Sequence, residues 1–207
     1  MKLKYLIKFA QIYSAVFSPF YATMWAFIWL FLFSYLRTWP WFYKAYILII
    51  VIAFTILLPR VAIEVLRRIN RWTHWQLSTR VNRNIPYFFT VASYVACMLI
   101  FMQLNTASFM QGMVLATLAT GMVCALVNTK WKVSAHMAGM GGLVGVVIAF
   151  SYLFYFNPIP PMCLMLVLAG VMGTCRMILC QHSLSQVVVG FFIGFVCSLI
   201  FILFVWL

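Results

Sequence analysis

Two histidines carry the chemistry this chain could do. His136 stands at the head of an apolar run, just after Lys130, Lys132 and Ser134, and Gly139, Gly142 and Gly145 follow it at three-residue intervals. His182 comes after Arg176 and five intervening residues, and Gln186, Gly190 and Gly194 continue from it at spacing four. On a helix that spacing forms one stripe, so Gln186 can hold the imidazole by a hydrogen bond. Arg80 and Arg83, three apart, stand shortly before Pro86. Guanidinium forks and the N–H groups of helix N-termini bind phosphoryl oxygens. One imidazole can then attack phosphorus while the other gives a proton to the leaving oxygen. Glycine faces also serve close helix packing, and a single His near a membrane boundary is commonly an interface residue. Two of them, each beside cations and each followed by a glycine face, point to a phosphate site.

The acid count narrows the field. The chain has fourteen Lys and Arg but one acidic residue, Glu64. Paired-carboxylate hydrolysis, two-metal phosphoryl transfer and hard-cation cages each need several carboxylates. Catalysis must rest on His, Arg, Ser or Cys, with neither metal nor cofactor expected. Cys97, Cys124, Cys163, Cys175, Cys180 and Cys197 show no CxxC pairing and are read as reduced packing residues.

The elements that must position these groups are membrane helices. Hydrophobic residues make up 67% of the chain and charged ones 7%, with a mean hydropathy of +1.08. Crossing the hydrocarbon layer takes about 20 apolar residues in a helix. Seven such segments are legible, at about 12–36, 44–63, 87–104, 108–128, 133–156, 161–180 and 186–207. The fold class is therefore an all-α polytopic transmembrane helix bundle of six to seven membrane segments, a single domain over residues 1–207. The apolar run behind Lys2, Lys4 and Lys8 is too long for a signal peptide and is read as a retained first helix. The basic stretch 67–84, with Trp72, Trp75 and His74, reads as an interfacial helix against anionic headgroups.

If all seven segments span, every His and nearly all cations share one membrane face, and only Arg37 and Lys44 lie on the other. Setting aside Arg80, Arg83 and Arg176 as site residues leaves nine cations against two. The positive-inside rule then places the crowded face in the cytoplasm.

These residues resemble the type 2 phosphatidic acid phosphatase (PAP2) superfamily, whose motifs run Lys-x6-Arg-Pro, Pro-Ser-Gly-His and Ser-Arg-x5-His-x3-Asp. The matching stretches here are Arg80-Val81-Asn82-Arg83-Asn84-Ile85-Pro86, Val133-Ser134-Ala135-His136 and Cys175-Arg176-x5-His182-x3-Gln186, within regions of about 78–86, 133–139 and 175–190. The stretch from Lys132 to Gly139 and the ending Gln186-Val187-x2-Gly190-Phe191 are similar to a short branch common in Bacteroidetes. The resemblance implies His182 as the nucleophile that forms a phosphohistidine and His136 as the acid for the leaving group. It implies Arg176, Arg80, Arg83 and Ser134 as phosphate ligands, with Lys132 and Gln186 in support.

The implied activity is a metal-independent lipid phosphate phosphatase or pyrophosphatase in a bacterial inner membrane, acting on a phosphatidate-like or polyprenyl phosphate lipid. Its partners are membrane lipids and the lipid phosphate substrate, not nucleic acid. The chain also departs from the pattern. Ser78 stands where the family has Lys, Ile85 precedes Pro86 in place of Arg, Ala135 replaces Gly, and Gln186 replaces Asp. Gln186 can fix a tautomer but supplies no charge, which leaves a catalytically silent lipid-phosphate-binding protein as the alternative. A small transporter fits less well, because the His and Arg residues gather at one face rather than the midplane.

Overall fold

The computed structural model describes residues 2–71 and 84–206. Among them the regular structure is all helical, with a short 3-10 turn at Tyr35–Thr38 and the helices α1 Lys2–Val16, α2 Pro19–Phe33, α3 Trp41–Ile69, α4 Asn84–Gln103, α5 Ser108–Lys130, α6 Ala135–Phe154, α7 Ile159–Ile178 and α8 Leu184–Trp206. Helices α3 to α8 are each long and apolar enough to cross a membrane. This is a polytopic helical bundle that fits a multi-pass membrane protein. In lipid a backbone must satisfy its own polar groups, and a run of helices does so within each segment.

The expected first segment, 12–36, differs from a single rod. It is broken at Phe17–Ser18 into α1 and α2, which meet at a bend of 62°. The cause is Pro19, which has no N–H to donate and disfavours helical dihedrals in the residue before it. Ser18 accordingly sits extended at φ −61° and ψ 147°. Helix α3 begins after Pro40 and passes through one π-helical turn at Ala53–Leu57. The interfacial reading of 67–84 falls largely outside the described residues, although α3 itself runs on to Ile69. There Glu64 is spent on Arg67, with both carboxylate oxygens engaged at 2.7 and 2.8 Å, and on Arg68 at 2.8 Å.

Helix α6 is the centre of the bundle. In its most apolar stretch 67% of residues are buried, against 22–39% in the other spanning helices. On the outer helices Leu126, Val167, Ile200 and Phe204 stand exposed, as lipid-facing residues must. With no hydrophobic force between helices in lipid, close van der Waals packing through small residues has to hold such a bundle. The α6–α8 contact is built that way. A Cβ on Gly141 would fall on the carbonyl of Phe191, one on Gly194 on the carbonyl of Ala138, and one on Gly145 within 2.7 Å of Phe195 O. The matched order, 141 with 191 and 145 with 195, makes these two helices parallel. Gly112 of α5 packs against the backbone of Ile202. Helix α5 enters from the opposite face and so runs antiparallel to α8.

The far end is fixed by rings: Trp29 of α2 lies parallel to Phe150 of α6 at 6.5 Å, and Phe109 stands edge-on to Phe150 and Phe154. With Gly139 against Pro19 and Ala22 at the near end, α2 also runs parallel to α6. The start of α2, the end of α5, the start of α6, the end of α7 and the start of α8 therefore come to one face.

Candidate functional site

Helix α6 starts at that face because Ser134 caps it. Its backbone is extended at φ −87° and ψ 102°, and its hydroxyl accepts from Met137 N at 3.4 Å, which satisfies one of the orphan donors of a helix start. Ser134 is fully buried and does not reach the cavity described below. The residue expected to bind phosphate is thus placed as the cap that orients His136. The Ser134 N–H donates to Gln186 O at 3.3 Å, tying the second motif to the third. A Cβ on Gly190 would lie 2.5 Å from Ser134 O, so the glycine is what allows this approach.

His182 lies in the turn between α7 and α8, two positions before the helix start at Leu184, and not on the helical stripe itself. The side chain of Gln186, in the first turn of α8, reaches back to it. His182 Nδ1 is 3.2 Å from Gln186 Oε1, which also accepts from Ser183 N at 3.3 Å. An amide oxygen only accepts, so Nδ1 carries the proton and the lone pair is on Nε2. The same turn is braced by Lys132, whose ammonium donates to Gln181 O at 2.6 Å.

His136 is half-buried and donates Nε2–H to Ser14 O, 3.2 Å away, near the end of α1. A carbonyl accepts only, so in the neutral ring the lone pair is on Nδ1. Arg176 and His182 are both close enough to His136 to act on it electrostatically. Arg176, in the last turn of α7, is half-buried, and its Nε has no hydrogen-bond partner. A buried guanidinium N–H without an acceptor is costly, and an anion at this point would relieve it.

The two histidines open onto one cavity of about 290 Å³ between α2, α4, α5, α6 and α8. Its mouth is formed by Pro86, Asn128, Lys132, Ala135, His136 and His182, and it extends inward past Gly139 and Gly142 to Thr117, Leu143 and Val146. At about 1.5 Å per residue, the stretch of α6 from Ala135 to Val146 carries it roughly 16 Å into the bundle. A polar mouth with an apolar interior suits a ligand with a charged head and an oily body. Arg176 and Gln186 are not among the lining residues. Arg80 and Arg83, expected as further phosphate ligands, lie outside the described residues.

Three participants were not singled out from the sequence. The carbonyl of Ser14 is invisible to motif reading, because its role depends on the 62° bend that returns α1 to the site. Tyr87 of α4 also lines the cavity. Asn128 lines it with only 4% of its surface exposed, and an Asn inside the apolar segment 108–128 was a usable signal, since polar side chains in membrane helices are expensive. Comparison of the chain with protein-family models, curated proteins and solved structures found no match in any of the three.

Proposed function

We propose that the protein is a metal-independent lipid phosphate phosphatase or pyrophosphatase working through a phosphohistidine. The observation that carries this reading is the meeting of His136 and His182 on one cavity beside the unpartnered Nε of Arg176. In the first step Nε2 of His182 attacks phosphorus, the bond from phosphorus to the lipid oxygen breaks, and His136 protonates that oxygen. In the second, His136 takes a proton from water as its oxygen attacks phosphorus, and the bond from phosphorus to Nε2 breaks, releasing inorganic phosphate and restoring both histidines. Arg176 binds phosphoryl oxygens, and Arg80, Arg83 and Lys132 add positive charge on the sequence reading alone. The substrate is a phosphatidate-like or polyprenyl phosphate lipid, with its tail in the apolar part of the cavity. The site faces the cytoplasm of a bacterial inner membrane.

A second reading draws on Gln186. As the partner of His182 Nδ1 it orients the ring without stabilising an imidazolium, whereas in the serine-protease triad replacing the corresponding Asp by Asn lowers turnover about ten-thousandfold. A silent lipid-phosphate-binding protein is consistent with that substitution. The deciding experiment is phosphate release by purified protein in detergent with a chelator present. The substrates are phosphatidic acid, phosphatidylglycerol phosphate and undecaprenyl pyrophosphate, each tested beside His182→Ala. Release that vanishes in the variant supports the phosphatase. No release, with lipid phosphate still bound, supports the silent relative.

A further inference from the structure

Asn128 occupies the last turn of α5, lines the cavity, is 4% exposed, and has no hydrogen-bond partner at Nδ2. A half-turn of the amide exchanges its two ends, so the cavity can be offered a donor. The threonine hydroxyls along the same wall are spent within the protein. Thr23 and Thr117 bond each other at 3.0 Å, while Thr117, Thr120 and Thr90 bond the carbonyls of Met113, Ala116 and Pro86 at 2.9, 2.8 and 2.7 Å.

The helix registers fix the depth of this amide. Gly112 lies against Ile202 in the antiparallel α5–α8 pair, which brings Asn128 level with Gln186. The Ser134 N–H bond to Gln186 O brings the start of α6, and His136, to the same level. Asn128 therefore sits at the polar mouth, level with His136, which on the phosphatase reading meets the leaving oxygen. Cations are the match for a phosphate dianion, and a neutral amide matches a neutral acceptor. A glycerolipid phosphate presents ester carbonyls at this depth, whereas a polyprenyl chain presents only hydrocarbon.

Resting on the phosphatase reading, we propose that Asn128 donates a hydrogen bond to an ester carbonyl of the bound lipid. This makes the protein selective for acyl-ester lipid phosphates over polyprenyl phosphates. A buried polar group left unpaired penalises the analogue that cannot satisfy it. The chelator-containing assay is run with dioleoyl phosphatidic acid, its dialkyl-ether analogue and a polyprenyl phosphate in the same micelles. The expected kcat/KM for the ester exceeds that for the ether by about 10-fold, as loss of one buried hydrogen bond implies. Asn128→Leu is expected to lower the ester-to-ether ratio of kcat/KM from about 10 to about 1.

Equal rates on ester and ether in the wild-type protein, or faster release from the polyprenyl lipid, overturn the carbonyl contact while leaving the phosphatase standing. Absence of any His182-dependent release removes the phosphatase reading and this inference with it. Should Asn128→Leu fail to fold, the wild-type comparison of ester with ether decides alone.

Discussion

His136 Nε2 donates to the carbonyl oxygen of Ser14 at 3.2 Å, a bond that closes 122 residues of chain. An imidazole held this way can act as an acid only from Nδ1, after taking a second proton, or by breaking from α1. Either route makes its proton matter most when the leaving group is poor. His136→Asn is therefore expected to slow release from a lipid phosphate by about 10² to 10⁴. Hydrolysis of p-nitrophenyl phosphate, whose leaving group needs no proton, should change far less. Comparable losses of kcat on both substrates would remove His136 from the acid role.

Gln186 holds His182 in one tautomer without adding charge. Gln186→Leu should lower kcat by about 10-fold or more by freeing the ring, and Gln186→Glu should raise it above wild type by stabilising positive charge on the attacking imidazole. Single-turnover kinetics with trapping of the acid-labile phosphoprotein give the readout. An unchanged rate in the Leu variant would show that the Nδ1 contact does no orienting.

The buried Nε of Arg176 predicts a tight site for a phosphate mimic. Vanadate should inhibit competitively, and Arg176→Ala should weaken that inhibition by about 10- to 100-fold, as expected for a charge-assisted bond. Vanadate insensitivity in the wild-type protein would count against phosphate binding at this point.

The α6–α8 seam predicts an asymmetry among glycines. Gly194→Ala puts a methyl onto Ala138 O and should destabilise the fold by about 1–3 kcal/mol. Gly170→Ala meets nothing within 4 Å and should be neutral or stabilising by up to about 1 kcal/mol. Thermal unfolding in detergent distinguishes them, and equal effects would contradict the packing described for α8.

Cys180, exposed in the turn that carries His182, reports sidedness. In intact cells an impermeant maleimide should label Arg37→Cys and leave Cys180 unlabelled until permeabilisation. Labelling of Cys180 from outside would reverse the orientation.

Much of the bundle was legible because hydrophobic segment length is a local property set by bilayer thickness. Helices α4 to α8 start and stop within three residues of the expected segments, while α3 runs six residues past its expected end to Ile69. The expected 12–36 segment broke because a length-based reading treats Pro19 as a tolerable interruption, whereas here the chain turns on it. The four-residue spacing puts Gln186, Gly190 and Gly194 on one face of α8, since helix periodicity is also local. His182 itself left the helix, because the turn after α7 is set by contacts such as Lys132 to Gln181 O that lie far apart in sequence.

The sequence by itself determined that this chain folds as a bundle of apolar helices long enough to cross a membrane. Apolar segment length sets the helices, and a single carboxylate, Glu64, leaves no paired-carboxylate chemistry open. Only the tertiary structure decided which atoms meet. That Ser134 caps rather than lines the cavity, that α1 returns to bond His136, and that Asn128 faces the same space depend on helix registers. Those registers are set where backbone meets backbone at Gly141, Gly190 and Gly194, a matter of three-dimensional fit that no local spacing specifies.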